Sequence, residues 1–104
     1  MGGDFKERRS SKRVAYICEV ECEGAGGRLN TRITDLSVDG AFIDSMICFP
    51  PGSTVKLKFK LRSADVAVTA EVRYCLPQIG MGVRFLDLAP EARSVIEEIV
   101  REGG

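Results

Sequence analysis

The chain has no histidine, the side chain most often used for acid–base work near neutral pH and the commonest metal ligand. No Cys-x-x-Cys pair stands in for it, so the usual ligand spacing of a zinc site is missing. A phosphate-cradling Gly-rich loop of the Walker type is missing too. These gaps argue against an enzyme, and no catalytic residue, metal ligand or resident cofactor is expected. Formal net charge is zero, so no global field draws the chain to a nucleic-acid polymer or a membrane. No apolar run approaches the roughly 18 residues that span a bilayer. The first residues lack the apolar stretch of a secretory signal, and Lys6 stands where a myristoylation motif takes Ser or Thr. The expectation is a cytoplasmic protein without membrane insertion.

The 104 residues suit one domain, and a hydrophobic fraction of 44% can fill one core. Of the four cysteines, Cys18 and Cys22 lie in a strand-like run that separates them by about 13 Å. A disulfide needs Cα atoms within about 7 Å. All four are expected to be buried, reduced and structural, since a free cysteine packs as a small hydrophobe.

Period-two patterning dominates the chain. Val14, Tyr16, Cys18, Val20 and Cys22 share one face of residues 14–23, and Gly24, Gly26 and Gly27 end that run. A second strand is predicted from about Arg28 to Thr34, then a turn over Asp35–Gly40 and a short strand over Ala41–Asp44. After Pro50-Pro51-Gly52 comes the cleanest alternation, Val55, Leu57, Phe59 and Leu61 against Lys56, Lys58, Lys60 and Arg62. Val66, Val68, Ala70, Val72 and Tyr74 are assigned to one face of the next strand, and Met81, Val83 and Phe85 to the last. Five or six strands with no helix between them predict an antiparallel sheet closing into a small barrel. From Pro90 the period becomes helical, with Ala92, Val95, Ile96, Ile99 and Val100 on one stripe.

Two segments carry more chemistry than the fold requires. Residues 1–13 hold an excess of three positive charges, centred on Arg8, Arg9, Lys12 and Arg13. Arginine presents a planar fork of donors that fits phosphate and stacks on purines. In an extended segment Arg9 and Arg13 point the same way, about 13 Å apart, a spacing suited to a ligand with more than one phosphate. In Asp35-Leu36-Ser37-Val38-Asp39-Gly40, Asp35 can accept two N–H groups from the Watson–Crick edge of guanine, where adenine presents an acceptor. Ser37 offers a hydroxyl, and Gly40 permits a backbone angle or a close approach that a Cβ would block. Taken singly, the first segment also reads as a solvated basic tail and the second as an ordinary turn. A barrel binding single-stranded nucleic acid would interleave aromatics with its basic residues, and only Phe5 and Tyr16 lie near these arginines.

The two segments in this order resemble the PilZ domains, bacterial receptors for cyclic di-GMP. Arg8, Arg9 and Arg13 match the family's Arg-Arg-x-x-x-Arg motif, and Asp35, Ser37 and Gly40 its Asp/Asn-x-Ser-x-x-Gly motif. Gly80-Met81-Gly82-Val83-Arg84-Phe85 is similar to its late Gly-x-Gly-Val-x-Phe strand. One departure is Ala89, where the family commonly has Ser or Thr before the helix. The resemblance implies a mainly β fold, a six-stranded antiparallel split barrel (residues 14–88). A flexible ligand-binding segment (1–13) precedes it and a C-terminal helix (89–104) follows. It implies that Arg9 and Arg13 contact phosphates and guanine faces and that Arg8 adds a further contact, while Asp35, Ser37 and Gly40 hold a guanine edge. The arginine segment would be a lid that orders on binding and signals to an effector protein. An adaptor that works through protein contacts without ligand is the alternative. Ligand stoichiometry and homodimerisation stay open.

Overall fold

The computed structural model describes residues 12–103. Six alternating stretches form strands, β1 (Val14–Gly24), β2 (Gly27–Leu36), β3 (Gly40–Asp44), β4 (Thr54–Leu61), β5 (Ala64–Leu76) and β6 (Gly80–Phe85). One helix, α1 (Pro90–Glu102), follows. All strand pairs are antiparallel, and the order β1-β2-β3-β6-β5-β4 closes because β1 also pairs with β4. The six-stranded antiparallel barrel with a C-terminal helix is thus the observed fold. Closure removes the unpaired edges that an open sheet must protect.

β4 shows the patterning rule most plainly: Val55, Leu57, Phe59 and Leu61 are buried, and Thr54, Lys56, Lys58 and Lys60 are exposed. Val20, Cys22, Ile33, Ile43, Val68, Val72, Met81 and Val83 fill the same interior from the other strands. Each large apolar side chain so withdrawn from water contributes roughly 1.5–3 kcal/mol. Outside, Lys58 and Lys56 face Glu21 and Glu23 of β1, which in turn face Asn30 and Arg28 of β2. Arg28 Nε lies 3.2 Å from Glu21 Oε2. This face carries rows of opposite charge rather than the unbroken basic track that a phosphate backbone requires.

Bulges decide which side chains leave the alternation. The β2–β3 register passes from Ile33↔Ile43 to Asp35↔Phe42, so Thr34 is an extra residue opposite β3. Strict alternation from Ile33 would turn Asp35 into the core. The bulge turns it outward and returns Leu36 to full burial. The predicted turn therefore begins two residues later than the sequence suggests, since Asp35 and Leu36 belong to β2. A second slip, between Val72 and Tyr74, acts on β5. Tyr74, assigned above to the core face, is 44% exposed and lies outside the barrel over Gly82.

At one end of the barrel lie the β2–β3 turn, the β4–β5 turn and the link to α1; the β1–β2 and β5–β6 hairpins and loop 45–53 lie at the other. The helix buries Ala92, Ile96 and Ile99. Arg62, in the β4–β5 turn, ties it down through ion pairs to Glu98 and Glu102. At the opposite end Phe49, 9% exposed, seats its ring on Gly24. The cysteines correct the expectation of four reduced thiols: Cys48 and Cys75 form a disulfide, while Cys18 and Cys22 are free. Its partners are 27 residues apart in sequence. Only the return of loop 45–53 onto the end of β5 brings them together.

Candidate functional site

Arg13 immediately precedes β1, and Asp35 stands next to the end of β2. The pairing Val14↔Leu36 and Ala15↔Asp35 makes them neighbours. Arg13 Nη1 lies 3.7 Å from Asp35 Oδ1, with side chains 43% and 38% exposed. That separation is an ion pair, too long for a hydrogen bond, and a pair this wet contributes only about 0–1 kcal/mol. Oδ1 itself is screened from solvent and has no hydrogen-bond partner among the described residues. A buried acceptor without a donor is uncommon and costly. The carboxylate therefore has accepting capacity that the described chain does not use.

Ser37 and Gly40 are differently placed. Ser37 is 2% exposed, and its Oγ accepts from Asp39 N at 3.2 Å and Gly40 N at 3.1 Å. The hydroxyl also donates to Gly40 O at 3.3 Å, and Ser37 N donates to the same carbonyl at 2.9 Å. A serine hydroxyl has one donor and two acceptor positions, so all of its capacity is used inside the turn. Gly40 faces β6, where a Cβ would stand 2.1 Å from the Val83 carbonyl oxygen. Of the two possibilities open in the sequence, the close approach is the one realised, and it is an approach to the protein's own backbone. These two residues shape the turn that holds Asp35. Arg8 and Arg9, with the lid expected of residues 1–13, fall outside the described residues except for Lys12 and Arg13.

The structure adds residues that sequence reasoning passed over. Phe42 pairs with Asp35 in register on the outer face, and its ring lies 6.3 Å from that of Tyr74, tilted by 32°. The two rings lie over the outward glycines of β6: a Cβ on Gly80 would meet Phe42 at 2.6 Å, and one on Gly82 would meet Tyr74 at 2.3 Å. Beside Asp35 the barrel thus presents a partly exposed pair of aromatic rings, an aromatic floor. A signal existed in the alternation of glycine at 80 and 82, since an outward glycine within a strand marks a close neighbour. Arg84, exposed and opposite Gly40 in register, adds a cation beside the turn.

Other chemistries find less support. Burial pushes the thiols of Cys18 and Cys22 up to about 11, which keeps them protonated and poorly nucleophilic. Among the described residues no group of three or more His, Cys, Asp or Glu is gathered as for a metal ion. No helix among them is long and apolar enough to cross a membrane.

A sequence model of one family, the PilZ domain, matches residues 7–102. No curated protein matches the chain in sequence. Among solved structures, the Bacillus subtilis inhibitor of motility (MotI/DgrA) superposes with a TM-score of 0.79 at 16% identity, over 91% of this chain and 50% of that one. The chain thus spans about half the length of that protein. The PilZ domain of YcgR from Escherichia coli, solved with c-di-GMP, gives 0.70 at 16% identity, covering 92% of this chain and 91% of that one. The PilZ domain of CeSA from a cellulose-synthesizing bacterium gives 0.63 at 17% identity, covering 86% and 95%. Likeness at such identities establishes a shared fold.

Proposed function

The chain belongs to the PilZ domain family, and from that premise we propose that it is a receptor for cyclic di-GMP that relays binding to an effector protein. The observation that carries the reading is the Asp35 carboxylate, turned outward by the β2 bulge, with a solvent-screened oxygen lacking a donor among the described residues and Arg13 beside it. Guanine supplies the missing partners, because N1–H and the 2-amino group lie on one edge and can both donate to a carboxylate. Adenine sets a lone pair at the same ring position and leaves the acceptor unmet, which is where a polar site discriminates most strongly.

Arg13 would meet phosphate oxygens with charge-assisted bonds of about 1.5–3 kcal/mol each. Arg8 and Arg9 would add to it from the preceding segment. The Phe42–Tyr74 floor suits a purine face. Ser37 and Gly40 serve the same end indirectly, by fixing the turn next to Asp35. Binding would order the arginine segment at a cost of roughly 1–2 kcal/mol per residue, against which the charge-assisted bonds of three arginines are set, and that ordering is the signal passed on.

Calorimetric titration of the chain with cyclic di-GMP, cyclic di-AMP and GTP tests the proposal. Selective binding of cyclic di-GMP at micromolar strength or better is expected, with protection of amides in residues 6–13. Arg13→Ala and Asp35→Ala should each abolish the heat while leaving the circular dichroism spectrum unchanged. A folded chain that gives no heat with cyclic di-GMP would reject the receptor and favour an adaptor acting through protein contacts alone.

A further inference from the structure

We infer that Cys48 and Cys75 form a reversible dithiol–disulfide switch that fastens loop 45–53 over the barrel end opposite the Asp35 turn. The two Cα atoms lie 6.0 Å apart across a sequence separation of 27 residues. Both cysteines are only partly buried. Their neighbours Met46, Ile47 and Leu76 are 72%, 62% and 43% exposed. The bond thus lies in a partly exposed stretch of the surface, and access is one of the conditions that separate exchangeable disulfides from inert ones. Cys18 and Cys22, on the core face of β1, do not compete for exchange, since burial raises their thiols to about 11.

The loop has few other anchors. Backbone hydrogen bonds join it to the barrel only at its two ends: Ser45 N–H donates to Ile79 O at 3.1 Å, and at the other end Gly52 N–H donates to Val72 O at 2.7 Å while Ser53 O accepts from Val72 N–H at 2.9 Å. Between these points the disulfide and the ring of Phe49 hold it down. Phe49 sits against Gly24 and closes the barrel end. With the covalent tie cut, only the packing of Phe49 and of the Cys48 side chain keeps the middle of the segment seated. Its release would uncover the Gly24 side of the core and join Phe49 to Met46 and Ile47 in one mobile apolar loop.

Reduction is a two-electron exchange with a dithiol, either a small molecule or a thioredoxin-type protein. A thiolate of the reductant attacks one sulfur, the Cys48–Cys75 bond breaks as a mixed disulfide forms, and the departing thiolate takes a proton. The second thiol of the reductant then displaces the remaining cysteine. The chain is left with two thiols and the reductant with one disulfide. Cys48 Sγ lies 3.4 Å from the Gly80 carbonyl oxygen, so the thiol formed there has an acceptor in place.

The test uses the whole chain, equilibrated with oxidised glutathione or with dithiothreitol, and no nucleotide. Alkylation in denaturant should add two groups to the oxidised chain, at Cys18 and Cys22, and four to the reduced chain. Dithiothreitol should complete the reduction without denaturant. Amide exchange in residues 45–53 should then rise roughly tenfold or more while β1 and β2 keep their protection. A Cys48→Ser/Cys75→Ser chain should exchange at the reduced rate with or without dithiothreitol. Four alkyl groups on the glutathione-oxidised chain would overturn the pairing. A bond that yields to dithiothreitol only in denaturant, or a reduction that leaves loop exchange unchanged, would overturn the switch. Neither result bears on cyclic di-GMP binding, so the two proposals stand or fall separately.

Discussion

A methyl group added at Gly40 separates two explanations of a motif glycine, contact with ligand and contact with the protein itself. In Gly40→Ala the new Cβ would stand 2.1 Å from the Val83 carbonyl oxygen and 3.2 Å from Arg84 Cα. Carbon approaches a carbonyl oxygen across a sheet to about 3.3 Å, so β3 and β6 must part by roughly 1 Å. The obstacle is backbone, and no side chain can swing aside to relieve it. The hydrogen bonds at risk are Phe85 N to Asp39 O at 2.8 Å, Ser37 N to Gly40 O at 2.9 Å and Gly40 N to Ser37 Oγ at 3.1 Å.

Losing about two of these at ~1 kcal/mol each, with ~1–3 kcal/mol of backbone strain, gives ~3–5 kcal/mol. The restriction alanine places on the unfolded chain returns ~0.4–1 kcal/mol, leaving a net cost of about 3 kcal/mol. For a domain of this size that lowers the melting temperature by roughly 12–24 °C. Urea denaturation followed by circular dichroism measures it, and the midpoint should fall with an unchanged slope. A Gly40→Ala chain that keeps its stability within ~0.5 kcal/mol while losing cyclic di-GMP would refute the reasoning, because the glycine would then be serving the ligand.

Three further outcomes follow from the same geometry. In Gly82→Ala the clash is with the Tyr74 ring at 2.3 Å, a surface side chain that can move, so the cost should be only ~1–2 kcal/mol. Adding Tyr74→Ala should recover part of it, and a double-mutant cycle with coupling below ~0.5 kcal/mol would contradict the stacking. Ala89 is the N-cap of α1, with extended backbone and no side-chain bond to the first turn; Ala89→Ser should raise stability by ~1 kcal/mol in thermal denaturation, and no gain would mean the first turn is satisfied otherwise. Burial raises Cys18 and Cys22 from 9.0 to about 11, so the unfolded chain loses these protons first. Their contribution to stability is complete below pH 9 and disappears as pH rises to about 11. Denaturation across that range should show a steeper fall for the parent than for Cys18→Ala/Cys22→Ala, and equal slopes would show that the thiols titrate alike in both states.

Most of the barrel was legible because period-two patterning reports directly on a half-buried strand, and β4 kept perfect phase along its length. Legibility failed where the phase slips. Thr34 in β2 and the residue between Val72 and Tyr74 in β5 each shift the alternation by one, and nothing in their side chains announces it. A bulge is chosen by the strands on either side, so its position is a property of the pairing. The same holds for Cys48 and Cys75, whose proximity depends on a loop returning to a strand end. In the candidate site, Arg13 and Asp35 were readable as chemistry from the sequence. The aromatic floor of Phe42 and Tyr74 was not, because Tyr74 was assigned to the wrong face.

The Asp-x-Ser-x-x-Gly run looks in sequence like one recognition element, yet its three residues carry different demands. Asp35 is held outward with an oxygen that the described chain leaves without a donor, whereas Ser37 has every hydrogen-bonding position used within the turn. Gly40 is required by the backbone of β6. The three demands adjoin one another, because the bulge that exposes Asp35 runs directly into the turn. In that turn the Ser37 hydroxyl fills the interior, and the absence of a Cβ at Gly40 lets β3 lie against β6. Substitution at Asp35 should therefore change affinity at constant stability, and substitution at Ser37 or Gly40 should change both together. The chemistry of the proposed site thus rests on Arg13 and Asp35 more than on the serine and glycine that make the motif recognisable.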